Sequence, residues 1–168
     1  MEPTTLLYII LAISAISFVF DQVLDYVNLK SQRKDIPDEI ASFYDKEKYL
    51  KSLDYHRDQT RFSFFTSGFG FVLSFSMLLF GGFGWIDSLL RPYFDNEIFL
   101  ALTFFGAIMV ASDILTLPFQ WYSTFVIEER YGFNKTTVKT FITDKLKGYV
   151  LGALIGGSLM SLLIYTIY

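Results

Sequence analysis

Residues Phe125–Asp144 read FVIEERYGFNKTTVKTFITD, a polar segment set between two apolar blocks, and that placement decides the fold. On its N-terminal side Phe99–Phe119 holds a single charged residue, Asp113; on its C-terminal side Gly148–Tyr168 holds none. The segment itself carries the acids Glu128 and Glu129, then Arg130, Gly132, Phe133 and Asn134. After these, Val138, Phe141, Ile142, Leu146 and Tyr149 recur at helical spacing. Gly132 suits a tight turn and Asn134 suits an N-cap. The spacing predicts one long helix that starts after Asn134 and runs straight into the last apolar block.

The wider composition agrees with a chain that lives in lipid. Of 168 residues, 52% are hydrophobic and 19% aromatic, while 18% are charged against about a quarter in soluble domains. Mean hydropathy is +0.40. The charges fall in blocks, leaving room for four spans at about 4–27, 62–85, 98–120 and 148–168. A hydrocarbon core of about 30 Å takes roughly 20 helical residues, and unpaired backbone groups are not tolerated within it, so these spans are helices. The expected fold is all-α: a polytopic membrane helical bundle of four transmembrane helices plus a cytoplasmic amphipathic helix. The chain reads as a single membrane domain over 1–168. Its N-terminus, MEPTT, lacks the positive region of a cleaved signal peptide, so the first apolar segment is expected to stay.

Orientation follows from the loops. Loop 28–61 carries eight basic residues, among them Lys46, Lys48, Lys51, Arg57 and Arg61, and loop 121–147 carries five. The loop between them has only Arg91. The positive-inside rule then places loops 28–61 and 121–147 in the cytoplasm. Ile36, Ile40, Phe43, Tyr44, Leu50 and Leu53 recur near helical spacing after Asp35 and around Pro37, which predicts the amphipathic helix. It would lie on the membrane, against a cytoplasmic partner, or on its own bundle.

Three acids lie inside predicted spans, where charge is costly and faces protein or water. Asp21 and Asp25 are four apart and share a helix face. Asp113 sits five residues before Pro118 and reads either as the lining of a wet cavity or as an ion-pair partner of Arg61, Arg130 or Lys145. Gly148, Gly152 and Gly156 are spaced by four, a small-residue face for close helix packing. Glycine is also simply common in membrane helices.

Several chemistries are excluded. There is no cysteine, hence no thiol catalysis or thiolate-bound metal. The single histidine, His56, and the lack of any HExxH leave no catalytic residue and no metal site to assign, even counting Asp21, Asp25, Asp113 and Glu128. In EERYGF the position that an EExxxR motif needs is Phe133, so that match fails. Asn134-Lys135-Thr136 fits a glycosylation acceptor, but the charge rule puts it on the cytoplasmic side. Basic and acidic residues are interleaved, so no nucleic-acid surface forms.

FVIEERYGFNKTT, followed by the F-x-x-D-x-L-K of Phe141–Lys147, resembles the N-terminal membrane region of the Ste24-type CAAX prenyl proteases, zinc metallopeptidases of the M48 group. Tyr26–Lys30 (YVNLK) and Tyr44–Phe62 (YDKEKYLKSLDYHRDQTRF) are similar to that family as well, and the likeness runs from about Leu24 to Tyr165. The resemblance implies a domain of a protease whose HExxH and zinc belong to a catalytic part absent from these residues. From position and residue type, the turn of Glu128, Glu129, Arg130, Gly132, Phe133 and Asn134 and the Ile40–Leu53 helix would dock that C-terminal zinc-protease part. The spans would wall an intramembrane chamber holding a prenylated or membrane protein substrate, within a bacterial inner membrane or the endoplasmic reticulum. Zinc is expected in the full-length protease and no cofactor in this chain, which is expected to be inactive alone. The alternatives are a free-standing four-helix scaffold or accessory subunit, and a small transporter using Asp113.

Overall fold

The computed structural model describes residues 2–32 and 45–167. Among them every regular element is helical. Helix α1 spans Pro3–Ser31, α2 Lys46–Leu79, α3 Gly82–Leu90, α4 Glu97–Tyr122, α5 Val138–Leu151 and α6 Gly157–Ile167. A π-helical stretch, Ser123–Glu128, prolongs α4, and a second, Gly152–Gly156, joins α5 to α6. Four of the described helical stretches are long and apolar enough to cross a membrane: Pro3–Ser31, Lys46–Leu79, Glu97–Glu128 and Val138–Thr166. At 1.5 Å per residue the 29 residues of α1 extend about 44 Å, beyond the hydrocarbon thickness.

The ends of the helices follow from single residues. Pro3 enters α1 at its first turn, where a missing N–H costs nothing. Asp45 caps α2 by accepting from the N–H groups of Glu47 (3.1 Å) and Lys48 (3.3 Å), and the Lys48 bond in particular holds its carboxyl below the usual carboxylate range. Asn96 caps α4 through Ile98 N–H at 2.8 Å.

Three expectations change here. The amphipathic helix and the second span are not separate where they are described: Lys46–Leu53 forms the first turns of α2, which continues unbroken to Leu79. Ile36, Pro37, Ile40, Phe43 and Tyr44 lie outside the described residues. The span drawn to Trp85 instead ends at Leu79, because Gly81 turns the chain with φ +69° and Trp85 belongs to α3. The N-cap also moves. The helix after the polar turn starts at Val138, and Thr137, not Asn134, caps it by accepting from Thr140 N–H at 3.1 Å. Asn134 lies too early to reach the second or third N–H of that helix.

The chain forms two compact units. The first comprises residues 1–82 and 119–134, the second 83–118 and 135–168. In the first, α1 packs on α2, and the less exposed α1 residues Leu7, Leu11, Ser14, Phe18, Gln22, Asp25 and Leu29 step by three and four residues. Phe18 stacks on Phe71 with ring centroids 4.2 Å apart, and Gln22 Nε2 donates to Ser67 Oγ at 3.0 Å. On the other flank of α2, Phe62, Phe65 and Phe69 surround Phe119. In the second unit Arg91 ties α3 to the start of α4 by pairing with Asp87 and Glu97.

Among the described residues only Leu11, Leu100 and Ile127 form a buried apolar core, while Ile16 is 69% exposed and Leu159 64%. In water such surface would cost about 25 cal/mol for each Å² left wet. In lipid it costs nothing, which makes this a multi-pass membrane protein.

Gly132 also holds φ +69°. An L side chain there costs on the order of 1 kcal/mol. We expect Gly132→Ala to lower the melting temperature in detergent, and Gly132→Asn to lower it less; equal stability of all three chains would show that the turn carries no such strain.

Candidate functional site

The polar turn is built from the end of the helix that precedes it. Phe133 N–H donates to Glu128 C=O (2.9 Å) and Gly132 N–H to Glu129 C=O (2.9 Å). These are the paired bonds of a Schellman motif, with glycine at the left-handed position the motif requires. Asn134 N–H shares the Glu128 carbonyl at 3.3 Å, and its side chain donates to Glu129 Oε2 at 2.9 Å. Glu128, Glu129, Gly132, Phe133 and Asn134 are thus tied to one another before anything else touches them.

The turn is then fastened to α2. Asp58 Oδ2 accepts from Arg130 Nη1 (3.1 Å) and from the Tyr131 hydroxyl (2.7 Å). Tyr55, one turn earlier on α2, meets the edges of Tyr131 and Phe133 at centroid distances of 5.6 and 4.9 Å. Lys51 Nζ stands 5.8 Å from the Phe133 centroid, within cation–π range. Next to Asp58 in the chain, Gln59 Nε2 donates to Ser123 Oγ at 3.0 Å. Lys51, Tyr55 and Asp58 recur every three or four residues, so one face of α2 grips the whole turn. The Asp58 hydrogen bond pushes the Tyr131 phenol above its ordinary value, because ionising it would set two negative oxygens against each other.

Within the second unit, the intramembrane acid of α4 is paired. Asp113 forms an ion pair with Lys145 through Oδ1, and its Oδ2 accepts from the Tyr149 hydroxyl. Lys145, Tyr149, Gly152, Gly157 and Met160 turn toward α4. Their steps are four, three, five and three, and the step of five falls on the π-helical stretch. An extra residue in that turn rotates everything after it. Of the expected Gly148, Gly152 and Gly156 stripe, Gly152 and Gly156 line the space beside α4 and Gly148 does not. A Cβ on Gly152 would touch Met109, and one on Gly157 Leu102, whereas Gly148 and Gly156 have open space. Close packing along that face gives way to a cleft of about 580 Å³.

Among the described residues no contact joins Asp21 and Asp25 to a shared partner; Asp25 is half-buried and Asp21 exposed. Among the described residues no group of three or more His, Asp or Glu is placed to hold a metal ion. Asp58 and Tyr55 escaped the sequence reading: a charged residue and a tyrosine in a charged helical segment give no signal until their partner loop is known. Thr137 did give one, standing immediately before the first residue of the apolar pattern.

Residues 25–168 match the family model described as CAAX prenyl protease N-terminal, five membrane helices. The chain belongs to that family. It is similar to the CAAX prenyl protease 1 homolog of Arabidopsis thaliana, 32% identical over 162 residues, covering 90% of this chain and 38% of that protein. It is also similar to CAAX prenyl protease 1 of Saccharomyces cerevisiae, 31% identical and covering 92% of this chain and 36% of that protein. Among solved structures, the one described as the crystal structure of S. mikatae Ste24p matches with a TM-score of 0.81 and 30% identity, over 96% of this chain and 39% of that one. The chain therefore spans between a third and two fifths of these relatives, and corresponds to the N-terminal membrane domain of a Ste24-like CAAX prenyl protease.

If Asp58 is the anchor of the family turn, Asp58→Ala removes both the ion pair and the phenol bond. Protection from amide exchange over residues 128–134 should fall by about tenfold, equivalent to roughly 1.4 kcal/mol. The Tyr131 contribution is fully present below about pH 10, where an unfolded tyrosine stays neutral, and is lost as pH rises through the raised folded value. The gap in melting temperature between the native chain and Asp58→Ala should hold from pH 8 to 10 and narrow above; a gap independent of pH would remove Tyr131 from the clamp.

Proposed function

We propose that the turn Glu128–Asn134, together with the first turns of α2, docks the zinc-bearing remainder of the protease. On this reading the four spans help wall an intramembrane chamber for a prenylated or membrane protein substrate, and the reaction itself is carried out by residues outside this chain. The observation that carries the reading is the state of the turn. It is fastened from within and from α2, yet Phe133 keeps 45% of its surface exposed and the Arg130 side chain 57%. A pre-ordered loop offering an aromatic ring and a cation saves the ordering cost of association, and such residues dominate protein interfaces. The family name and the relatives' greater length support a partner of this kind.

The topology belongs to the same proposal. Loops 28–61 and 121–147 face the cytoplasm, which puts the docking turn on the side where the basic residues gather. The chain has no cysteine, so Thr136→Cys creates a single labelling site. A membrane-impermeant maleimide should reach it only after permeabilisation of cells or vesicles of native orientation; labelling of intact cells would invert the topology.

Docking is tested in the full-length protein. Amide exchange over residues 125–137 should be at least about tenfold slower there than in this chain alone. Phe133→Ser in the full-length protein should reduce cleavage of a prenylated CAAX peptide by about tenfold, the loss of one interface anchor worth roughly 1.4 kcal/mol. Equal exchange in both forms, with full activity of Phe133→Ser, would remove the turn from the interface.

A further inference from the structure

Helix α5 has a face that is engaged in one half and open in the other. Val138, Ile142, Lys145 and Tyr149 step by four, three and four residues and so share one side of the helix. Lys145 and Tyr149 turn that side to α4, where both meet Asp113. Toward the start of the helix the same side is open. Val138 is 46% exposed, Ile142 52%, and Leu146, one turn beyond Ile142, 59%.

Acyl chains do not account for this row. The uncharged stretch Gly148–Tyr168 makes about 31 Å of helix, enough to cross the roughly 30 Å hydrocarbon core by itself. The turns that carry the row also carry Lys139, Asp144 and Lys147, with Lys135 just ahead of them, and charge is costly inside hydrocarbon. Lys147 and Asp144 lie 3.7 Å apart, yet their side chains stay 68% and 62% exposed, so pairing does not shield them. These turns stand clear of the hydrocarbon. Three apolar side chains spaced by four, on one face of a helix outside the lipid, are the anchor pattern of a helix-face contact.

We propose that Val138, Ile142 and Leu146 pack against a segment of the same polypeptide that follows residue 168. The occupant is named by the unmatched length of the relatives. The chain covers 38% of the Arabidopsis thaliana protein, 36% of the yeast one and 39% of the solved chain, and its family model describes the N-terminal part of a protease. More than half of each relative is therefore left to supply the contact. A second copy docking through the same face would bring the lysines at 135 and 139 toward their own counterparts, and like charges oppose that pairing. The inference rests on the reading that the rest of the protease docks on this domain, and adds a contact on a different helix from those that form the turn.

The test is photo-crosslinking in the full-length protein held in its membrane. Ile142→p-benzoylphenylalanine puts a photoreactive ring on the open face, where the exposed position accepts a larger side chain. Irradiation should give an intramolecular crosslink, and mass spectrometry of the digest should locate its other end beyond residue 168. The same replacement at Asp144, two residues on and so about 200° round the helix, should lose that product. Crosslinks from position 142 that reach only lipid, only a second copy or only residues 1–168 would overturn the proposal, and so would the absence of any crosslink. Phe133→p-benzoylphenylalanine, irradiated in parallel, keeps the two readings apart. A product beyond residue 168 from position 133 and none from 142 removes α5 from the interface and leaves the docking turn standing. No such product from either position removes both.

Discussion

Backbone N–H and C=O groups cannot be left unpaired in hydrocarbon, and the architecture of this chain follows from that constraint. Among the described residues each candidate crossing is a helix, and particular residues close several of the open helix ends. Asp45, Asn96 and Thr137 satisfy N-terminal donors through their side chains. Gly81 and Gly132 supply the left-handed conformation that ends a helix. Pro118 removes the donor that the Ile114 carbonyl would otherwise meet, and a π-helical stretch follows within two turns.

Polar side chains obey the same rule inside each unit. Gln22 with Ser67, and Asp113 with Lys145 and Tyr149, pair across neighbouring helices, so that groups too costly to leave in lipid hold helices together. Interhelical bonds of this kind contribute only about 0.6 kcal/mol on average. Their larger effect is on register. A charge that must find its partner permits one rotation of the helix carrying it, and the π-helical stretch at Gly152–Gly156 separates that rotation from the one the lower half of the helix adopts.

The family turn shows how a connector is ordered within such a scaffold. Its backbone is closed by the Schellman bonds, its charge is anchored on Asp58, and its aromatic face rests on Tyr55. Order of this kind in a loop with little buried apolar area has a cost.

The residues alone determined the four apolar stretches, the loops in which positive charge collects, the glycine turn at 132 and the family signature in FVIEERYGFNKTT. Each of these depends on local composition or on neighbours within a few positions, which a linear reading contains. The structure decided that Lys46–Leu79 is one helix, that Thr137 rather than Asn134 caps the last one, and that Gly156 opens a cleft instead of closing a contact. It also brought Asp58 to Arg130 across 72 positions and Lys145 to Asp113 across 32. Those outcomes depend on how far each helix is rotated when it meets another, and a single inserted residue in a π-helical turn changes that rotation without leaving a mark in the hydrophobic pattern.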